Sequence, residues 1–256
     1  MLAETALAYG LAAVLVYNNS VVVLGPGAWS GGVGPRRALV AAVLGQLTGA
    51  LTSHIERLRL GVHELVYVLA LYAALTAAGV SLPLSVASFA LTGLRPEAAA
   101  LWLASPAFAL VAYLLCKLPR VCRPAPMLSL LLASYAFGYN NIALFSTDPL
   151  LTAASILAGT YLGLRFSRRI LLLVGLGARD VVAINLTLAI AAAVGSALAI
   201  PVSFTLVAYS AVLAASMSHR VRIIRAGELV RAYLGIVAAM AAALIPRAAG
   251  LLPLRV

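Results

Sequence analysis

Apolar stretches separated by short polar segments run along the whole chain. Most approach the roughly 20 residues that a helix needs to cross the hydrocarbon core of a bilayer. Others are shorter or interrupted, so we expect some broken or re-entrant helices. The stretches cover residues 2–24, 38–53, 63–80, 82–94, 99–116, 127–146, 149–164, 170–199, 200–217 and 229–246. The pattern predicts an all-α, polytopic membrane protein with about 8 to 10 membrane helices.

The composition excludes a soluble domain. Hydrophobic residues make up 64% of the chain and charged residues 10%, against about 45–50% and about 25% in soluble domains. We therefore expect a multi-pass protein of the cell membrane whose surroundings are the lipid bilayer. The first stretch carries Glu4 instead of the basic start of a signal peptide, so it is expected to stay as a membrane helix.

Two short motifs recur in the same order along the chain. Tyr17-Asn18-Asn19 is repeated as Tyr139-Asn140-Asn141 after 122 residues, and Pro83-Leu84-Ser85 is answered by Pro201-Val202-Ser203 after 118 residues. This recurrence predicts two tandem membrane repeats, 1–116 and 127–256, a usual architecture of secondary transporters. Residues 117–126, which combine three prolines with three basic residues, form the predicted linker.

The basic residues predict the orientation. The net charge of +11 does not indicate a nucleic-acid partner, because the arginines are scattered between apolar stretches. If all ten stretches cross, one side holds Arg36, Arg37, Lys117, Arg120, Arg123, Arg165, Arg168, Arg169, Arg220, Arg222 and Arg225, and the other holds Arg57, Arg59, Arg95, Arg247 and Arg255. The positive-inside rule makes the first side cytoplasmic and both termini external. Five crossings per repeat would invert the second repeat relative to the first.

The paired asparagines are the main candidate site. An amide inside an apolar segment is costly unless its hydrogen-bonding groups are satisfied. Single membrane asparagines often cross-link helices, but a repeated pair beside helix-breaking sequence favours a binding role. Residues 24–35 are too rich in glycine and proline to continue a helix, and residues 146–149 predict a stop followed by an Asp-Pro helix start. We expect Asn18 and Asn140 to approach each other near mid-membrane.

Two further features bear on the site. We call Pro83-Leu84-Ser85 and Pro201-Val202-Ser203 the Pro-x-Ser segments. They predict helix starts whose free N–H groups can ligate an anion. A helix that begins at a proline and is capped by a serine explains them equally well. Arg179 and Asp180 interrupt the stretch 170–199. We expect a short loop there in preference to a buried ion pair.

At these motifs the chain resembles the inorganic phosphate transporter family. Residues 18–26, Asn-Asn-Ser-Val-Val-Val-Leu-Gly-Pro, are similar to that family's Asn-Asp-Val-Ala-Asn-Ala-Ile-Gly-Pro signature, and residues 140–143 look like its second copy. The Pro-x-Ser segments resemble the family's repeated Pro-Val-Ser-Thr-Thr-His. The resemblance implies a duplicated, inverted fold that moves phosphate, or sulfate in related permeases, driven by sodium or protons. The implied substrate-binding residues are Asn18, Asn19, Ser20, Ser85, Ser88, Asn140, Asn141, Ser203 and Thr205.

The departures from the family pattern concern cation coupling. The acidic residue of the signature is replaced by Asn19 in the first copy and by Asn141 in the second, and the histidine of the other motif by Ser88 and Leu206. An amide oxygen can ligate sodium but carries no charge and relays no proton. Sodium or proton coupling is therefore possible but in doubt, no cofactor is predicted, and a metal site is left open.

These observations predict a non-enzymatic permease for a small inorganic oxyanion, and the resemblance implies phosphate ahead of sulfate. The alternatives are a sulfate permease of the same fold, a membrane enzyme acting on lipid phosphates, and a structural relic that no longer transports. The enzyme would need clustered acidic or catalytic His/Asp residues, whereas the seven acidic residues are dispersed. The expected partners are the anion and the bilayer, with no nucleic acid, and a homodimer is left open.

Overall fold

The computed structural model describes residues 2–30, 32–118, 121–170, 176–218 and 226–248. Every regular element in these ranges is helical. The helices are α1 Leu2–Trp29, α2 Pro35–Thr52, α3 Val62–Ala77, α4 Leu84–Thr92, α5 Pro96–Ala104, α6 Ala109–Leu115, α7 Ala125–Phe137, α8 Pro149–Ile170, α9 Ala178–Ala197, α10 Phe204–Ser218 and α11 Ala226–Ala248. A 3₁₀ turn joins α5 to α6, and α7 continues through a π turn and a 3₁₀ turn to Phe145. Each of the ten predicted stretches contains helix among its described residues, and residues 171–175 of the stretch 170–199 lie outside them.

Six helical stretches of the described chain are long and apolar enough to cross a membrane. They are Ala3–Trp29, Pro96–Leu115, Ala125–Phe145, Pro149–Ser167, Ala178–Ala197 and Gly227–Pro246, with α3 and α10 as shorter apolar helices. Large apolar side chains cover the outer surface, including Leu110, Leu150, Met217 and Ile245. Such a surface fits lipid and not water. The chain is a multi-pass membrane-embedded protein.

The predicted break within residues 24–35 lies later than expected, because α1 continues as helix through Gly25-Pro26-Gly27 to Trp29 and α2 begins at Pro35. Pro26 removes one helical N–H, but membrane helices tolerate this where neighbours compensate. The segment is packed inside the protein, where Gly27 lies against the side chains of Leu130 and Val181. Close packing therefore overrides the local preference for a break.

Several helix starts are capped by an acidic residue just before or within the first turn. The Oδ1 of Asp148 accepts the N–H of Leu151, so the predicted Asp-Pro start of α8 is confirmed. The expected loop at Arg179-Asp180 is wrong, because both residues lie in the first turn of α9. There Asp180 accepts the N–H of Gly177, a capping arrangement that Glu64 repeats at the start of α3.

Two helix pairs form the centre of the bundle. α1 packs along α8, and α2 packs along α7. Both contacts are close because glycines face the partner backbone. A Cβ at Gly159 would lie 2.5 Å from the carbonyl oxygen of Ala13, and one at Gly45 would lie 2.6 Å from that of Leu131. Gly49 and Gly163 make equally close contacts about a turn further along α2 and α8, as small residues do between membrane helices.

The connections gather at two ends of the bundle. At one end, the N–H of Leu58 in the α2–α3 connection donates to the carbonyl of Leu144, and Tyr9 bonds Thr147 in the α7–α8 connection. At the other end, Trp29 donates to Ser167, and the Arg179 guanidinium donates to the carbonyl of Leu118. We call these the Tyr9 end and the linker end. Arg120, Arg220, Arg222, Arg225 and Arg255 lie outside the described residues.

Candidate functional site

The amino ends of α4 and α10 meet at one side chain, Asn141. Its Nδ2 donates to the Oγ of Ser85 in the first turn of α4 (2.7 Å) and to the carbonyl oxygen of Val202 just before α10 (2.9 Å). Asn141 is fully buried, and no side chain caps the amino end of α4. The two repeated Pro-x-Ser segments are thus held together by an asparagine of the repeated Asn pair.

The carbonyl of Val202 fixes the orientation of the Asn141 amide. A carbonyl oxygen can only accept, so the amide nitrogen must face it. This leaves the Asn141 Oδ1 buried and without a hydrogen-bond partner in the described part of the chain. Leaving a buried acceptor unsatisfied costs about 1–3 kcal/mol. A ligand that brought a donor to this oxygen would remove that cost.

Asn19 makes the matching contact from α1. Its Nδ2 donates to the carbonyl oxygen of Leu15 (2.9 Å), and its Oδ1 accepts from the Oγ1 of Thr205 in the first turn of α10 (3.3 Å). The second asparagine of each pair therefore contacts the Pro-x-Ser segment of the opposite predicted repeat. We call Asn19, Ser85, Asn141, Val202 and Thr205 the asparagine cluster.

Asn140 holds the turn between α9 and α10. Its Oδ1 accepts the N–H of Val202 (2.8 Å), and its Nδ2 donates to the Oγ of Ser196. Five successive carbonyl oxygens of this turn accept side-chain donors: Leu198 and Ala199 from Arg95, Ile200 from Asn140, Pro201 from Trp102 and Val202 from Asn141. Irregular backbone inside a membrane protein needs such partners, because lipid offers none.

The second asparagine pair lies in a π-helical turn, Gly138–Ile142. Such turns are rare and occur often at functional sites. Gly138 lets this turn lie directly against α2, since a Cβ there would overlap the carbonyl group of Gln46. Asn18 and Asn19 in contrast lie in regular helix. The sequence predicted an interruption near each pair, and the structure has one in the second copy alone.

Of the remaining predicted site residues, two lie at α10 and α4 and two lie on α1. Ser203 precedes α10 and accepts the N–H of Leu206 at 3.5 Å, and the Oγ of Ser88 is buried on α4 with no partner in the described chain. Asn18 is half-buried, and its Nδ2 likewise has no partner among those residues. Ser20 instead faces α2, where it accepts from Gln46. The hydrogen bonds of the described residues do not join Asn18 to Asn140.

A second buried polar contact was missed by the sequence reasoning. The Oγ1 of Thr160 donates to the Oε1 of Gln46 (2.9 Å), and both side chains are fully buried. The sequence does contain a sign of this contact. Gln46 and Thr160 each follow a glycine directly, and each lies at the same distance from the proline that begins its helix. The matching positions are Pro35, Gly45, Gln46 and Gly49 in α2 and Pro149, Gly159, Thr160 and Gly163 in α8.

A cavity of about 490 Å³ opens beside the asparagine cluster. Arg57 and Arg59 of the α2–α3 connection and Arg95 before α5 line it, with Glu56 as its acidic residue. Its lining also includes Leu144 and Ala199, three residues along the chain from Asn141 and Val202. We call this cavity the arginine mouth. It lies at the Tyr9 end of the bundle.

The asparagine cluster itself is uncharged. Among the buried residues that the structure describes, Asp180 is the only charged one, and it caps α9. The cluster offers amide and hydroxyl groups together with two helix amino ends, whose dipoles favour negative charge. These groups can hold a small anion without a buried lysine or arginine.

No protein-family model matches the chain, and neither a curated protein nor a solved structure matches it.

Proposed function

We propose that the chain is a secondary transporter that moves a small inorganic oxyanion, phosphate ahead of sulfate, through the asparagine cluster. The observation that carries the proposal is the meeting of two helix amino ends, α4 and α10, at the buried Asn141. Discontinuous helices whose amino ends face the substrate are a recurring device for binding anions in transporters. We also propose that the chain is a divergent relative of the inorganic phosphate transporter family, which its motifs resemble.

We propose further that the two halves are inverted repeats. In support, α1 packs on α8 as α2 packs on α7, with glycines at matching positions in α2 and α8. Gln46 and Thr160, which occupy equivalent positions, bond each other. Equivalent residues meet in this way near a two-fold axis. The capping residues Glu64 and Asp180 are a further matching pair.

A preference for phosphate is supported by the unpartnered Oδ1 of Asn141. Phosphate near neutral pH keeps at least one P–OH group, which can donate to this oxygen. Sulfate has no proton and would bring another acceptor to the same place. Sites built around a buried hydrogen-bonding group discriminate strongly against a ligand that lacks the complementary group.

The neutral cluster favours transport of the anion without an obligatory sodium ion or proton. Asn19 and Asn141 stand where the family signature has acidic residues, and no titratable side chain belongs to the cluster. Without these negative charges, an anion meets less repulsion in a medium of low dielectric constant. The positive-inside rule makes the arginine mouth external, so we propose that the anion enters there.

The proposal is tested by uptake of labelled phosphate and sulfate into proteoliposomes that contain the purified protein. We expect saturable phosphate uptake above that of protein-free liposomes. Ser85→Ala should lower it at least about tenfold, since it removes one partner of a buried hydrogen bond in the site. Ser129→Ala is the matched control, because Ser129 accepts from Asn185 as Ser85 accepts from Asn141 but lies outside the cluster.

Uptake of neither anion by a folded, monodisperse protein would refute the transport function and favour the structural relic. Equal losses in the two serine variants would assign the effect to stability and not to the site.

A further inference from the structure

The arginine mouth has the features of a binding site in its own right. Arg95 is fixed in place: its Nη2 donates to the carbonyls of Leu198 and Ala199, and its guanidinium lies 5.2 Å from the centre of the Phe89 ring. A guanidinium carries five N–H donors, and the two carbonyls occupy only those on Nη2. Among the residues that the structure describes, no partner takes the donors on Nε and Nη1, so these remain available to a ligand.

The opposite wall of the cavity is also fixed. The Oγ of Ser53 donates to the carbonyl of Tyr139 (2.8 Å) and accepts the N–H of Ile55, and the N–H of Leu58 donates to the carbonyl of Leu144 (2.9 Å). These bonds hold the α2–α3 connection, which carries Arg57, across the end of the π turn. The cationic groups therefore surround a cavity whose backbone is already formed, which lowers the entropic cost of binding.

The charge and size of the cavity indicate its ligand class. Three arginines and one glutamate line it, so it attracts anions and concentrates them. Its volume of about 490 Å³ exceeds that of a bare inorganic oxyanion, so the ion can keep some of its hydration. Guanidinium groups match the oxygens of phosphate and sulfate in pairs.

We propose that the arginine mouth is a second oxyanion-binding site, where Arg57 and Arg95 capture a partly hydrated phosphate or sulfate before it loses water at the asparagine cluster. Its role as a capture site rests on the proposed transport function, whereas anion binding there does not. Capture by charge accepts either anion, and selection follows at Asn141. The phosphate group of a lipid has the same chemistry and is the competing occupant.

Binding is measured first, by equilibrium dialysis of labelled sulfate against the intact protein in a neutral detergent at low ionic strength. We expect saturable binding that weakens about three- to tenfold in the double variant Arg57→Gln/Arg59→Gln, and that falls steeply as salt is added. Arg36→Gln/Arg37→Gln removes the same charge at the linker end and should leave binding unchanged.

A second arm separates free anion from lipid. Dialysis is repeated with added phosphatidylglycerol and, separately, with phosphatidylcholine. Displacement of bound sulfate by trace phosphatidylglycerol, but not by the same amount of phosphatidylcholine, would assign the mouth to a lipid headgroup and overturn the proposal. Equal binding by wild type and by Arg57→Gln/Arg59→Gln would overturn it as well.

Flux then separates this inference from the proposed function. In proteoliposomes, Arg57→Gln/Arg59→Gln should raise the half-saturating phosphate concentration about three- to tenfold at low salt and leave the maximal rate unchanged. If the wild type transports phosphate and the variant has the same half-saturating concentration, capture at the arginine mouth is refuted and the transport function is not. No flux in the wild type, with sulfate still bound at the mouth, refutes the transport function alone.

Discussion

Among single residues, the two asparagine pairs share a sequence but not a set of contacts. Asn140 makes bonds to Ser196, Ile200 and Val202, whereas the Nδ2 of Asn18 at the equivalent position has no partner within the described ranges. The sequence identified both pairs because amides are unusual in apolar segments. It could not rank them, since the difference arises from the α9–α10 turn, which packs against one pair only.

Replacing Asn140 by leucine should therefore destabilise the protein far more than replacing Asn18. Asn140→Leu leaves the N–H of Val202 and the carbonyl of Ile200 without partners, and we expect a loss of about 2–4 kcal/mol in the free energy of unfolding. Asn18→Leu should change it by less than about 1 kcal/mol. Denaturant unfolding in detergent micelles measures both, and equal losses would show that the contacts of Asn140 contribute little.

Anion selectivity should depend on the Oδ1 of Asn141. In the wild type we expect phosphate and arsenate to inhibit labelled phosphate uptake about 10- to 100-fold more strongly than sulfate and selenate, which carry no proton. Asn141→Leu should reduce this ratio towards one. Asn185→Leu is the control, because its Oδ1 is also buried without a partner in the described chain but lies outside the cluster. A wild-type ratio near one would contradict the role of this oxygen.

At the level of whole helices, sequence reasoning was most successful where apolar length decides the outcome. Each predicted stretch contains helix in its described part, and the cap at Asp148 was confirmed. It failed where neighbouring helices decide, as in the continuation of α1 through Pro26 and the π turn at Gly138. The low helix propensity of glycine does not show whether a given glycine ends a helix or packs against a neighbouring helix. The partner backbone that makes Gly159 a contact point comes from α1, far away in sequence.

The contact glycines should resist substitution. Gly159→Ala would place a methyl group against the Ala13 carbonyl and the Val16 side chain, so we expect a loss of about 1–3 kcal/mol in the free energy of unfolding. Gly10→Ala lies on α1 with nothing within 4 Å of the added methyl and should be neutral or stabilising by up to about 1 kcal/mol. Thermal unfolding of the two variants in detergent compares them, and indistinguishable midpoints would refute close α1–α8 packing.

For the molecule as a whole, the central question about orientation is which end faces the cytoplasm. The two native cysteines provide a probe. Cys122 is exposed in the predicted linker, whereas Cys116 is buried. A maleimide in the aqueous phase should therefore modify Cys122 and spare Cys116, because a thiol reacts only where the reagent can reach it.

We expect Cys122 to be cytoplasmic, as the basic-residue asymmetry predicts. In intact cells, a membrane-impermeant maleimide should label it only after permeabilisation. His54→Cys in a Cys122→Ser background, at an exposed position of the Tyr9 end, should be labelled without permeabilisation. The reverse pattern would invert the topology and make the arginine mouth cytoplasmic.

The most direct test of the account is labelled phosphate uptake driven by membrane potential alone, with sodium replaced by a bulky organic cation and equal pH on both sides. A transporter that carries the anion through a neutral asparagine cluster should take up phosphate faster with a positive interior and slower with a negative one. Uptake that requires sodium and quickens with a negative interior would show that cations accompany the anion. It would contradict the proposal that the neutral asparagine cluster transports the anion without an obligatory sodium ion or proton.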